Sequence, residues 1–168
     1  MAEEQNPASN EANQAGDGAQ KVQFAIQRVY LKDLSYEAPL GAQAFRKQWK
    51  PSINQELNTK VSRIDENDLY EVVLTLTVTV KVDDETVLLV EVQQAGAFTV
   101  SGLENQQLTQ ALNTACPQIL FPYAREAIDN VIVKGSFPAI MLPPVNFDAL
   151  FAQAVAQSKQ NAEQQPAN

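Results

Sequence analysis

The stretch LYEVVLTLTVTVKVDDETVLLVEVQQAGAFTV, Leu69–Val100, decides the fold. Before Asp83-Asp84, Tyr70, Val72, Leu74, Leu76, Val78 and Val80 share one parity, while Leu69, Glu71, Val73, Thr75, Thr77, Thr79 and Lys81 share the other. A period of two marks a strand whose side chains point alternately to opposite faces. After the two aspartates, Leu88, Val90, Val92 and Gln94 alternate with Leu89, Glu91 and Gln93. Two such strands joined by a short acidic turn predict an antiparallel pair with one apolar face and one acidic, threonine-rich face.

Working outward, END (Glu66–Asp68) is a second tight turn, preceded by a strand expected at about Glu56–Ile64. VQFAIQRVYLKDLSYEA, Val22–Ala38, is rich in β-branched and aromatic residues and is stopped by Pro39-Leu40-Gly41, which predicts a first strand with Asp33 and Glu37 on one side. Between them LGAQAFRKQWKPSINQ reads as irregular or a short helical turn and carries the only tryptophan, Trp49. Downstream, Pro122 suits a helix start, Tyr123, Ala127, Ile128, Val131 and Ile132 recur at helical spacing, and Gly135 supplies a stop. After the loop SFPAIMLPPV, Asn146 or Asp148 caps a last helix with Leu150, Phe151, Ala154 and Val155 as its apolar stripe. Helices that cover the apolar sheet face give an α+β fold. The polar segments 1–20 and 158–168 are expected to be disordered tails around a single domain over 21–157, because they lack the apolar side chains that offset ordering entropy.

Composition narrows the chemistry. The net charge of -8 and pI near 4.5 oppose binding to nucleic acid or anionic lipid, both of which need a basic surface. There is no histidine, so zinc sites and histidine-based triads are excluded. The lone Cys116 forms no intramolecular disulfide and reads as an inert buried thiol in a reducing compartment. The first residues are acidic where a secretion signal would be basic, and VVLTLTVTV (Val72–Val80) is too short to span a bilayer, so a soluble cytosolic protein is expected.

The carboxylates of Asp65, Glu66 and Asp68, and of Asp83, Asp84 and Glu85, sit in predicted turns, where backbone hydrogen bonding accounts for them without catalysis. Ser101 has no base beside it, and Arg125-Glu126 fits an ordinary helix pair, so no enzyme is expected. Phe45, Trp49, Leu88, Val90, Phe147, Leu150 and Phe151 are harder to assign: they fit either a closed core or an open apolar groove.

Five segments carry a resemblance: IQRVYLKDLSYEAP (Ile26–Pro39), NDLYEVVL (Asn67–Leu74), EVQQAGAFTVSGLE (Glu91–Glu104), CPQILFPYARE (Cys116–Glu126) and GSFPAIMLPPVNFDALF (Gly135–Phe151). Collinear over about Phe24–Phe151, they closely resemble the SecB family of protein-export chaperones. The resemblance implies a four-stranded antiparallel sheet with a crossover loop and helices packed on one face, assembled as a homotetramer, a dimer of dimers with the first strand and Tyr123–Val133 at subunit contacts. It implies a cytoplasmic holdase, without cofactor or ATP, that keeps newly made precursor proteins unfolded and delivers them to the translocation ATPase SecA. The family's docking surface for the zinc-containing C-terminal tail of SecA falls on Asp33, Glu37, Leu89 and Glu91. The client groove or nearby oligomer contacts fall on Trp49, Leu88, Val90, Val92, Gln94 and Phe151. Leu88 stands where relatives often have phenylalanine, and Val90 where some have cysteine. The competing readings are a SecB-like chaperone dedicated to one toxin–antitoxin client, and a carrier of a small hydrophobic ligand.

Overall fold

The computed structural model describes residues 21–163. Strands β1 (Gln23–Glu37), β2 (Ser52–Arg63), β3 (Leu69–Val82) and β4 (Glu85–Ser101) form an antiparallel sheet in the order β1-β4-β3-β2. The meander runs β2 to β3 to β4, and β1 reaches the far edge through a crossover, residues 38–51, that contains a 3₁₀ turn at Gly41–Arg46. Helices α1 (Asn105–Asn113), α2 (Ala115–Lys134) and α3 (Phe147–Glu163) follow.

The turns form for the reasons their residues suggest. Asp83 and Asp84 both take left-handed backbone (φ 52° and 63°), the conformation a two-residue hairpin turn requires and one that Asp tolerates better than most residues. In the earlier turn the Asp65 carboxylate accepts hydrogen bonds from the backbone N–H groups of Asn67 (2.8 Å) and Leu69 (3.4 Å). Arg63 ties the same turn together through the Asp65 and Glu66 carbonyls and the Asp68 carboxylate. These acidic residues thus have structural work to do.

Three elements depart from the sequence reading. β2 starts at Ser52, ahead of the expected Glu56. α1 carries so little apolar character, with Leu112 its one buried residue, that periodicity passes over it. The main helix starts at Ala115 and runs through Pro122 instead of starting there. An interior proline costs about 3 kcal/mol in a helix, whereas burying each large apolar side chain gains about 1.5–3 kcal/mol. α2 buries Leu120, Phe121, Ile128 and Ile132 along one stripe, so packing outweighs the missing N–H.

α2 lies along the apolar face of β3 and β4 and closes it. Val72, Leu74, Leu76, Val78, Val80, Leu88, Val90, Val92 and Phe98 have no exposed surface. Gly96 permits the close approach, since a Cβ there would lie 2.5 Å from the Phe98 ring and 3.0 Å from Leu120. At the far end of α2, Gly135 has ordinary backbone but leaves room for the Tyr36 hydroxyl, and Ser136 makes the left-handed turn (φ 65°).

α3 corrects a further expectation. Asn146 caps it, its Oδ1 accepting from Ala149 N at 3.0 Å, but the apolar stripe does not cover the sheet. Leu150 is 43% and Val155 38% exposed, and the helix docks mainly through Phe147, edge-on to Phe121. It also continues to Glu163, so residues 158–163 are helical where a disordered tail was expected. The expected tail 1–20 and residues 164–168 lie outside the described residues.

Candidate functional site

Strand register brings one set of sequence-selected residues together. Asp33 pairs with Gln93, Ser35 with Glu91 and Glu37 with Leu89, so Asp33, Glu37, Leu89 and Glu91 share the sheet face opposite α2. Glu91 is oriented by the Thr77 hydroxyl, which donates to it at 3.1 Å from the neighbouring strand. Asp33 and Glu37 are exposed and Leu89 and Glu91 half-buried. Among the described residues none of the three carboxylates has an ion-pair partner, whereas Lys32 neutralises Glu71, and Lys47 pairs with Asp83 and Glu85. The surface is therefore a row of uncompensated negative charge with a leucine in it, on a rigid sheet.

Beside this row lies a small polar cluster that composition does not announce. The Tyr30 hydroxyl donates to Glu71, and Lys32 Nζ contacts both Glu71 carboxylate oxygens at 2.9 and 2.8 Å. The Lys32 and Tyr30 hydrogen bonds hold the Glu71 carboxyl below its ordinary value near 4.5. The same Glu71 contact, with some burial, pushes the Tyr30 phenol up to about 12.

The other set of selected residues does not assemble as a groove. Leu88, Val90 and Val92 have no accessible surface, and Gln94 has 5%. They point toward α2 and form core, so no client can touch them while that helix is in place. The parity that paired Leu88, Val90, Val92 and Gln94 was right; the inference that this face stays open was not, because α2 begins well before Pro122 and covers it.

Trp49 and Phe151 are accessible but separated. Trp49 is 36% exposed and lies 5.6 Å, between ring centroids, from Phe137; Phe45, 56% exposed, stacks on the same ring at 5.1 Å. Phe137 is the buried anchor that sequence reading missed, although its place just after the helix stop in GSFP was a usable signal. Lys47 fixes this part of the crossover to the β3–β4 turn through Asp83 (3.5 Å) and Glu85. Phe151 instead lines an open groove of about 720 Å³ between α1 and α3, with Thr109, Ala152 and Val155. Phe137 follows the end of α2, and Phe121, against which α3 docks, lies in its first half. At 1.5 Å of rise per residue, about 20 Å of helix separates the two regions.

Cys116 is fully buried and its thiol is pushed up to about 12 by desolvation, so it stays protonated and unreactive near neutral pH. Among the described residues no group of three or more His, Cys, Asp or Glu side chains is placed to hold a metal ion, and no helix is long and apolar enough to cross a membrane.

One open acidic sheet face, one face sealed by a helix, and exposed aromatics beside it define a protein with surfaces for other polypeptides. Comparison with known proteins gives that class its family. The family model for preprotein translocase subunit SecB matches residues 17–158. The protein-export protein SecB of Cellvibrio japonicus is 55% identical over 167 residues, covering 99% of this chain and 96% of the relative. The SecB of Hahella chejuensis is 56% identical over 141 residues, 84% of this chain and 87% of the relative. Among solved structures, a SecB-like chaperone of Mycobacterium tuberculosis, in complex with a ChAD peptide from the HigA1 antitoxin, superposes with a TM-score of 0.59 at 16% identity, over 73% of this chain and 90% of that one; it supports the fold. The chain belongs to the SecB family of protein-export chaperones.

Proposed function

We propose that the protein is an ATP-independent holdase of the cytoplasm, which keeps newly made precursor proteins unfolded and passes them to SecA for export. Identity of 55% along almost the whole of an export SecB is the observation that carries this reading. The docking role of Asp33, Glu37, Leu89 and Glu91 is supported by their shared face and unpaired charge, since a basic tail approaching such a surface gains on-rate and register from charge complementarity.

Client binding rests on the exposed apolar groups, not on Leu88, Val90 or Val92. Phe45 and Trp49 on one side, and Leu150, Phe151 and Val155 on α3, are separate apolar footholds. Several weak contacts along one extended chain sum through multivalency, which suits a chaperone that must accept many sequences without nucleotide. The reading includes assembly as a dimer of dimers. Phe24, Ile26 and Leu31 on edge strand β1, and Tyr123 and Val133 on α2, all lie exposed in the single chain and supply apolar area for such contacts.

The export reading outranks one dedicated antitoxin client because the export relatives are far nearer in sequence than the antitoxin-binding one. A small-ligand carrier is disfavoured by the shape of the α1/α3 groove, which is open instead of enclosing. The experiment is the refolding of a slow-folding secretory precursor, diluted from denaturant with the protein at near-stoichiometric ratio and no nucleotide. Arrest of refolding supports the holdase. Unimpeded refolding of every precursor, with the protein folded and oligomeric, removes it.

A further inference from the structure

The carboxylates of the acidic face stand where they do because β1 changes parity partway along. Tyr30 pairs with Ala95 and Leu31 with Gln94, but the next pair is Asp33 with Gln93: Lys32 is an extra residue, a β-bulge. A slip of one residue flips every later side chain to the other face. In uninterrupted alternation Asp33, Ser35 and Glu37 would fall on the same side as Leu31, toward α2. The bulge turns them instead to the face that carries Leu89, Glu91 and Gln93.

Three side chains grip this bulge from two sides of the sheet. From the core face Gln94, 5% exposed, donates its Nε2–H to the Tyr30 carbonyl at 2.9 Å. A buried carbonyl displaced from the strand ladder needs such a partner, and a buried amide needs the acceptor. From the acidic face Glu71, two strands away on β3, receives the Tyr30 hydroxyl and the ammonium group of Lys32, the bulged residue itself. They reach it past the small Ala95 and Ala97 of β4, each paired with a residue on both sides.

We propose that Gln94 and Glu71 are positioning residues for the docking face: by pinning the bulge at Lys32 they set the parity that exposes Asp33 and Glu37 to a basic partner. Gln94 thus acts on the acidic face from the core side, through the backbone of β1. This inference rests on the reading of that face as a docking surface.

The test measures binding of a synthetic lysine- and arginine-rich peptide to the full chain, in low and moderate salt. Asp33→Lys first checks the docking reading: binding equal to wild type discards that reading and this inference with it. Given a loss there, Gln94→Leu, which keeps every surface charge, is expected to weaken the peptide about tenfold, and the Asp33→Asn/Gln94→Leu pair to bind little more weakly than Asp33→Asn alone. That non-additivity separates positioning from general loosening, because independent effects add. Wild-type affinity in Gln94→Leu, or additive losses in the pair, overturns the proposal. Should Gln94→Leu fail to fold, Glu71→Gln decides. It keeps an acceptor for Tyr30 but drops the charge that holds Lys32, and is expected to weaken the peptide several-fold despite making the face less charged by a residue outside the docking row. Unchanged affinity in Glu71→Gln overturns the proposal.

Discussion

Leu76 and Thr77 are neighbours on β3, yet they belong to different parts of the molecule's work. Leu76 has no exposed surface and lies in the core beneath α2; Thr77 faces the other way and orients Glu91. The same strands therefore supply stability on one face and recognition on the other. The sealed face can be apolar and tightly packed because nothing has to reach it. The open face can carry unpaired carboxylates because the fold does not depend on them.

Substitutions that separate the faces sharpen this contrast, and the largest effect belongs to the core. Leu76→Ala is expected to lose about 2–5 kcal/mol, measured by urea unfolding, through lost burial and the cavity left behind. Thr77→Ala should cost about 1 kcal/mol or less, since it removes one partly exposed hydrogen bond. Equal losses at both positions would mean that the two faces are not distinct. Glu91→Lys comes next: affinity for a basic peptide should fall at least tenfold, with a steep salt dependence in the wild type and an unchanged urea midpoint in the variant.

The smallest effect is in pH dependence. The Tyr30 phenol is raised from 10.0 to about 12, so the contribution of its contact with Glu71 is complete below pH 10 and lost as pH climbs toward 12. The Glu71 carboxyl is lowered from 4.5, so its contribution is present above pH 4.5 and lost as pH falls below that value through its folded one. Both groups contact solvent, which keeps the amplitude small. Glu71→Gln should flatten both shoulders of a melting-temperature profile; shoulders that persist would assign them to other groups.

The sheet was legible because its residues obey a period of two and its turns are marked by aspartates. Leu69–Val82 and the β3–β4 hairpin follow directly from that pattern. The docking row was legible for the same reason, together with family resemblance. What alternation could not reveal was the cover. Pro122 looked like a boundary, so the first half of α2 was lost, and with it the fact that Leu88, Val90 and Val92 are sealed. α1 was invisible because NQQLTQALN offers almost no apolar stripe. The bulge at Lys32 leaves no local mark either, since an extra residue in a strand shows only against its partner's register. Nor does composition distinguish the exposed stripe of α3 from a buried one.

The central claim is that client holding and partner docking use different surfaces of one sheet module. Its most direct measurement compares the refolding of a slow-folding secretory precursor, without nucleotide, in the presence of wild type, Trp49→Asp with Phe45→Asp, and Glu91→Lys. The account predicts that Glu91→Lys arrests refolding as fully as wild type, while the aromatic double variant, still folded and of unchanged oligomeric size, arrests it several-fold less. Equal loss of arrest in both variants, or none in the aromatic one, would contradict it.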